Sequence, residues 1–310
     1  MPGIWIYSED STVARQLLTA GLELKNAMNQ PVKVITLNND DTQSFIAAGA
    51  DKVYVAKGVN SWPESYARAI ADLLAAEQAS VLLVGGTMRG KDLAAKVAAL
   101  LKAGLVTDAL SVAYADGGLE TTRLIYGGLA VSTEATLFPA LVTIPPRTFA
   151  EAVPAGNGQG EVVVLEVNNE DSRVSISNVC PIERQGADIA AATRVVCVGR
   201  GLNKKEDLAL AEALAKVVGA EIGCTRGIAE DYHWLPNERY IGISGQKVKP
   251  EIYISMGISG QVQHVVGIRD SKIIVAIDSN EKAPIFEAAD YGIVGDLYEV
   301  VPLLTEALKK

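Results

Sequence analysis

The sequence predicts an α/β protein of two domains. Residues 1–189 are expected to form a doubly wound, mostly parallel sheet with added β-hairpins, and residues 190–310 a Rossmann-like domain. Three observations predict this. A length of 310 residues suits two domains of ~150 residues each. The composition is 49% hydrophobic but only 5% aromatic, the Ala/Val/Ile/Leu/Gly palette of layered α/β folds. Short apolar runs alternate with helical periodicity at both ends of the chain.

The elements follow in order. Gly3–Tyr7 is a strand, and Ser11 caps a helix over Val13–Asn29. Strand Lys33–Leu37, helix Asp41–Ala48, strand Lys52–Ala56 and helix Pro63–Glu77 come next. Val81–Val84 is a continuous apolar run, as in a buried parallel strand, and helix Lys91–Lys102 follows it. The pattern then changes to strands joined by turns: Leu105–Ala113, Gly118–Ile125, Leu129–Thr133 and Ala140–Ile144, with Asp116-Gly117 as a hairpin signal. After strand Glu161–Val167 the stretch Asn168–Ala192 is polar and irregular, and the domain boundary is placed near Ile189. The second domain holds strands Arg194–Val198, Glu221–Gly223, Tyr240–Ile243, Glu251–Ser255, Lys272–Ala276 and Tyr291–Val294. Its helices are Glu206–Val218 and Leu297–Leu308.

Charge and cysteine usage exclude several functions. The formal charge of −9 argues against a nucleic-acid binder. From Ala190 onward there are 14 Lys+Arg and 16 Asp+Glu, a net of −2, which leaves −7 for the first part. The C-terminal part is therefore the better host for an anion. Cys180, Cys197 and Cys224 are widely spaced and form no metal-binding pattern. With no signal peptide and no apolar run long enough to span a bilayer, they fit a cytoplasmic protein without a transmembrane segment.

Two turns stand out. Gly-Ile-Ser-Gly-Gln occurs at Gly242–Gln246 and again at Gly257–Gln261. The second follows a strand and precedes an amphipathic run with His264, so its N–H groups suit an anion or the electron-rich edge of a cofactor. From the turns alone, two walls of one site and two ordinary tight turns remain equally open. Both lack the last glycine of a GxSxG nucleophile elbow. Gly85–Asp92 nearly matches a P-loop, but Asp92 replaces the hydroxyl that would hold Mg²⁺. Gly199-Arg200-Gly201 starts like GxGxxG, with Glu221 at the spacing of an acidic ribose partner, yet the third glycine is missing. Arg200 is either a diphosphate partner or a solvated surface residue. His264 in an apolar helix suits packing as well as function, and Asp296, just before the last helix, is a natural cap.

Pro250–Gly267 (PEIYISMGISGQVQHVVG), Asp270–Ala276 and Ala283–Leu297 (APIFEAADYGIVGDL) closely resemble the electron transfer flavoprotein alpha subunit. The resemblance covers Arg194–Leu308 closely and the first domain more loosely, through Arg89-Gly90-Lys91 and Tyr126-Gly127-Gly128. Val198-Gly199-Arg200-Gly201 and Ile241-Gly242-Ile243-Ser244 are most similar to its bacterial FixB-like branch. The resemblance implies an FAD-binding second domain and a first domain contacting a beta subunit. It also implies electron shuttling between flavin dehydrogenases of the acyl-CoA dehydrogenase type and a quinone oxidoreductase or ferredoxin-type acceptor. Residue by residue, it implies Arg200 at the phosphates, Thr225 on the FAD and Arg226 beside the isoalloxazine. Ile241, Gly242, Ile243 and Ser244 would lie along the flavin, with Ser244 at N5. Ser259, Gly260, Gln261, Val262, Gln263 and His264 would wrap the diphosphate and flavin, with His264 donating to carbonyl O2. Asp278, Asp296 and Leu297 would sit at the adenosine end. Ile243 replaces a common glutamine, and Asp278 a common asparagine that could also donate. Arg226 and His264 would stabilise the negative charge that a reduced flavin carries on its N1–O2 edge. Two alternatives are an electron-bifurcating complex with a second FAD in the beta subunit and a non-redox nucleotide-binding subunit.

Overall fold

The computed structural model describes residues 2–58, 62–154, 158–167, 173–174, 176–180 and 188–309. The chain divides into two compact units, Met1–Cys180 and Pro181–Lys310. The division falls somewhat before the boundary read from the sequence, and Ile189 is buried in the core of the second unit. Much of the irregular stretch expected at 168–192 lies outside the described residues.

The first unit is built on β1 (Ile4–Tyr7), α1 (Ser11–Met28), β2 (Val32–Thr36), α2 (Thr42–Ala47), β3 (Lys52–Lys57), α3 (Ala67–Ala76), β4 (Val81–Gly85) and α4 (Met88–Leu101). Then come β5 (Gly104–Val106), β6 (Ala109–Ala115), β7 (Gly118–Ile125), β8 (Ala130–Thr136), β9 (Ala140–Ile144) and β10 (Glu161–Glu166). Seven strands form a parallel sheet in the order β10-β3-β2-β1-β4-β9-β5. Successive side chains of a strand face opposite sides, so Ile4, Ile6, Val81 and Leu83 join one core, and Trp5, Tyr7, Leu82 and Val84 the other. Both faces of β1 and β4 are covered, which is why these two strands are apolar throughout.

Several local expectations are corrected. Asp10, not Ser11, caps α1: its carboxylate accepts from the N–H groups of Thr12 and Val13, while the Ser11 hydroxyl donates to Asp41. The helix near the P-loop-like segment starts earlier, at Met88, with Thr87 as its cap. Lys91 therefore lies inside the helix and pairs with Asp108 at 2.7 Å, so no phosphate-binding loop forms. The run expected at Leu105–Ala113 breaks at Asp108, whose φ is 56° and whose N–H donates to Thr143. The hairpins form a separate antiparallel sheet, β6-β7-β8, whose first turn has Asp116 and Gly117 at φ 49° and 79°. β9 is not part of it. Fully buried and apolar, β9 returns to the parallel sheet between β4 and β5.

The second unit contains β11 (Arg194–Val198), α5 (Leu208–Val218), β12 (Glu221–Cys224), β13 (Ile252–Met256), α6 (Val262–Val265), β14 (Ile273–Asp278), α7 (Ile285–Ala288), β15 (Tyr291–Val294) and α8 (Leu297–Ala307). Its parallel sheet has the order β12-β11-β13-β14-β15. Strand order reverses between β11 and β13, and such a switch point opens a crevice beyond the carboxyl ends of the strands. The strand expected at Tyr240–Ile243 is absent. Tyr240 and Ile241 make single bridges to Cys224 and Gln246, and the chain then turns at Gly242 and Gly245. The amphipathic run after Gly260 shortens to the four-residue α6.

Candidate cofactor site

The crevice is floored by the glycine segments Gly199–Gly201 and Gly257–Gly260, which follow β11 and β13 at the switch point. The N–H of Gly199 donates to the Met256 carbonyl, and that of Gly201 to the Gly257 carbonyl, each at 3.0 Å. The contact is backbone against backbone: a Cβ on Gly201 would lie 2.6 Å from the Gly257 Cα. A side chain at this position would fill the floor, and so the segment is glycine-rich. Gly260 sits at φ 78° with Ile285 behind it, which turns the chain into α6.

A cleft of about 950 Å³ opens above this floor. Its lining includes Arg200, Thr225 and Arg226 after β11 and β12, and Ile241, Ile243 and Ser244. Ser259, Gly260 and Gln261 after β13 line it as well, with Gln263 and His264 of α6. Asp278 at the end of β14 and Asp296 and Leu297 at the start of α8 complete the lining. Gly242 and Val262 do not reach the cleft. Gly242 packs against the Gln263 carbonyl and the Tyr240 ring, and Val262 lies partly exposed at the start of α6. Glu221 does not reach it either: its carboxylate pairs with Arg239 at 2.9 Å.

Hydrogen bonds preset several of these groups. The Arg226 guanidinium pairs with Glu230 at 2.5 Å across a single π-helical turn, Gly227–Asp231. The Ser244 hydroxyl lies 3.1 Å from the Tyr240 hydroxyl. Asp278 Oδ1 accepts from the Asn280 N–H. Asp296 Oδ1 accepts from the Tyr298 N–H and so caps α8. Among the described residues no backbone carbonyl accepts from the N–H groups of Gly260 and Gln261. This set suits an anionic dinucleotide. Guanidinium groups and free N–H groups match phosphate and carbonyl oxygens, carboxylates match sugar hydroxyls, and the glycine floor leaves room for the chain of the cofactor.

His264 departs from the expected geometry. Its ring is buried, with Nδ1 3.0 Å from the Ile241 carbonyl and Nε2 2.7 Å from the Tyr253 hydroxyl. A carbonyl can only accept, so Nδ1 carries the proton, and a neutral ring then accepts from Tyr253 at Nε2. Burial lowers its pKa to about 4. In this arrangement the ring has no N–H left to donate into the cleft. The sequence reading also missed Tyr240 and Tyr253. Each looked like an ordinary strand residue, and each holds a cleft residue by its hydroxyl. Asn203, Asp231, Ser279 and Tyr298 line the cleft too, without a motif that would single them out.

Sequence comparison places this chain in a known class. The family described as "Electron transfer flavoprotein FAD-binding domain" matches residues 188–269, and "Electron transfer flavoprotein domain" matches residues 5–170. The chain belongs to the electron transfer flavoprotein family, as an alpha subunit with an FAD-binding domain and a beta-subunit partner. Within the family it is FixB-like. It is 39% identical over 313 residues to Protein FixB of Shigella dysenteriae serotype 1 and of Escherichia coli O157:H7, covering 99% of this chain and 98% of theirs. Protein FixB of Escherichia coli K12 matches at the same identity and coverage. Among the described residues no helix is long and apolar enough to cross a membrane, and no group of side chains could hold a metal ion.

Proposed function

We propose that this alpha subunit and its beta subunit carry electrons from flavin dehydrogenases of the acyl-CoA dehydrogenase type to a quinone oxidoreductase or ferredoxin-type acceptor in the cytoplasm. The observation that carries the reading is the cleft at the switch point of a family FAD-binding domain, lined by cationic and hydroxyl groups. We assign residues 1–189 to contact with the beta subunit and 190–310 to the cofactor. The bound FAD supplies the redox chemistry. The chain binds, orients and tunes it.

Each role rests on chemistry visible in the cleft. Arg200 neutralises phosphate charge, and among the described residues no carboxylate pairs with it. Arg226 places a positive charge where negative charge develops on reduction, and Glu230 offsets part of it. Ser244, oriented by Tyr240, offers a hydroxyl to the flavin. Asp278 and Asp296 accept from sugar hydroxyls at the adenosine end. The side chain of Ile243, 52% exposed, gives the cofactor an apolar contact where the resemblance implies a glutamine amide in many members. The free cysteines Cys180, Cys197 and Cys224 suit a reducing compartment.

The test is to co-purify the chain with its beta subunit and record the visible spectrum. The complex is then mixed with an acyl-CoA dehydrogenase and its substrate, or with NADH alone. Dehydrogenase-dependent bleaching of one flavin per heterodimer supports the carrier. Two flavins per heterodimer with direct reduction by NADH would replace it with a bifurcating complex. A colourless heterodimer that cannot be reconstituted with FAD would favour a non-redox nucleotide-binding subunit.

A further inference from the structure

His264 lines the cleft, yet both of its nitrogens bond into the protein. The Ile241 carbonyl accepts from Nδ1–H, so any N–H offered from Nε2 needs a second proton on the ring. Nε2 faces the hydroxyl of Tyr253, a residue of β13 that is fully buried and does not line the cleft. Cys197 of β11, also fully buried, belongs to the same core cluster as Tyr253 and stands two residues along β11 from Val195, the register partner of Tyr253. Tyr253 therefore sits between a nitrogen that can be bare or protonated and a sulfur that can accept. A hydroxyl both donates and accepts, and it can rotate.

We infer that Tyr253 is a positioning residue for His264 that holds the ring in one place through two protonation states. With the ring neutral, the Tyr253 hydroxyl donates to Nε2. When the ring takes a proton from solvent at Nε2, the Tyr253 hydroxyl turns, accepts from Nε2–H and donates to the Cys197 sulfur. One proton is gained, none is lost, and no heavy atom moves. The groups bonded to the ring are the Ile241 carbonyl and Tyr253, and among the described residues no carboxylate or guanidinium is hydrogen-bonded to it. Burial keeps the phenol and the thiol protonated, so neither competes for the proton. Negative charge in the cleft is then what draws a proton onto His264. The inference deepens the flavin reading above: FAD reduction is the event that supplies this charge.

The experiment uses the heterodimer with only this chain ¹⁵N-labelled at histidine. The chain has 2 histidines, so the assignment is simple. Long-range ¹H–¹⁵N spectra are recorded against pH in the oxidised and dithionite-reduced states, and FAD content is read by absorbance on the same samples. In the oxidised complex Nδ1 should be protonated and Nε2 bare at pH 7. On reduction the midpoint for Nε2 protonation should rise by at least about one pH unit. Tyr253→Phe and Cys197→Ala each remove a partner of the protonated arrangement, so each should lower the reduced-state midpoint by about one unit. Cys197→Ser keeps an acceptor and should restore it. A protonated Nε2 in the oxidised complex, or wild-type midpoints in both Tyr253→Phe and Cys197→Ala, would overturn the inference. Samples that contain no FAD would instead overturn the flavin reading, and the Nδ1–H, bare-Nε2 pattern would still be legible in them.

Discussion

Replacing Gly260 with alanine tests whether the cleft depends on its glycine floor. Gly260 has φ 78°, where an alanine costs about 1 kcal/mol relative to glycine. The new Cβ would also lie 2.3 Å from both N and Cα of Ile285. That overlap is with backbone, so no rotamer change relieves it. Ile285 must move, and with it the bond from its N–H to the Ser259 carbonyl, now 3.1 Å. Overpacking of this kind costs about 1–3 kcal/mol, and the two effects together come to roughly 3 kcal/mol. For a unit of this size that lowers Tm by roughly 10 °C. Gly117→Ala is the control: its φ is 79° and a Cβ there meets nothing within 4 Å, so only the backbone cost of about 1 kcal/mol applies. Differential scanning calorimetry and FAD content would be measured on both variants as heterodimers. Gly260→Ala should lose several degrees more than Gly117→Ala and bind FAD at least about tenfold more weakly. Equal Tm values and equal FAD affinity in the two variants would refute the steric account.

Further predictions follow from the charges and hydroxyls of the cleft. Arg226→Ala should lower the first-electron potential of the flavin and Glu230→Gln should raise it, as read by spectroelectrochemistry; unchanged couples in both would remove Arg226 from the redox site. Ser244→Ala should shift the potential while leaving FAD content largely intact, whereas loss of FAD without a redox change would make the Tyr240–Ser244 contact purely structural. Asp296→Ala removes the cap of α8 and should cost about 1 kcal/mol in urea unfolding. Stability should also depend on His264. The unfolded ring takes a proton below about pH 6.5 and the folded one only below about 4. Its contribution is therefore intact above pH 6.5 and falls by up to roughly 3 kcal/mol as pH drops through that window. His264→Gln should flatten this part of the pH profile, and parallel profiles for variant and wild type would contradict it.

Much of the fold could be read from the sequence because the pattern and the packing agree. Buried parallel strands such as Val81–Gly85 are apolar throughout, and the glycine segments at Gly199–Gly201 and Gly257–Gly260 fall at strand ends. The failures share a cause: they depend on partners distant in sequence. β9 follows the hairpins along the chain, yet β8, the strand just before it, has no buried residue to offer, while the gap between β4 and β5 accepts a strand buried along its whole length. Tyr240 and Ile241 have strand-like side chains, but the bonds of Gly242 and Ile243 to Gln246 and Gln263 pull the backbone into turns. In the cleft, Arg200, Arg226 and Ser244 were marked by turn chemistry or by resemblance. Tyr253 was not, because its hydroxyl acquires meaning only when β13 and α6 meet. The same meeting explains why His264 does not present an N–H to the cleft.

The course of the chain between α4 and β9 has a consequence for how this protein can vary. It leaves the parallel sheet after β5, builds β6, β7 and β8, and re-enters as β9 alongside the strand it left. Exit and re-entry are neighbours, so the three-stranded sheet is a detour rather than a link. Its hairpins can lengthen, shorten or change surface without altering the register of any parallel strand. The detour is thus free to be reshaped to suit a binding partner while the scaffold beneath it keeps its pairing.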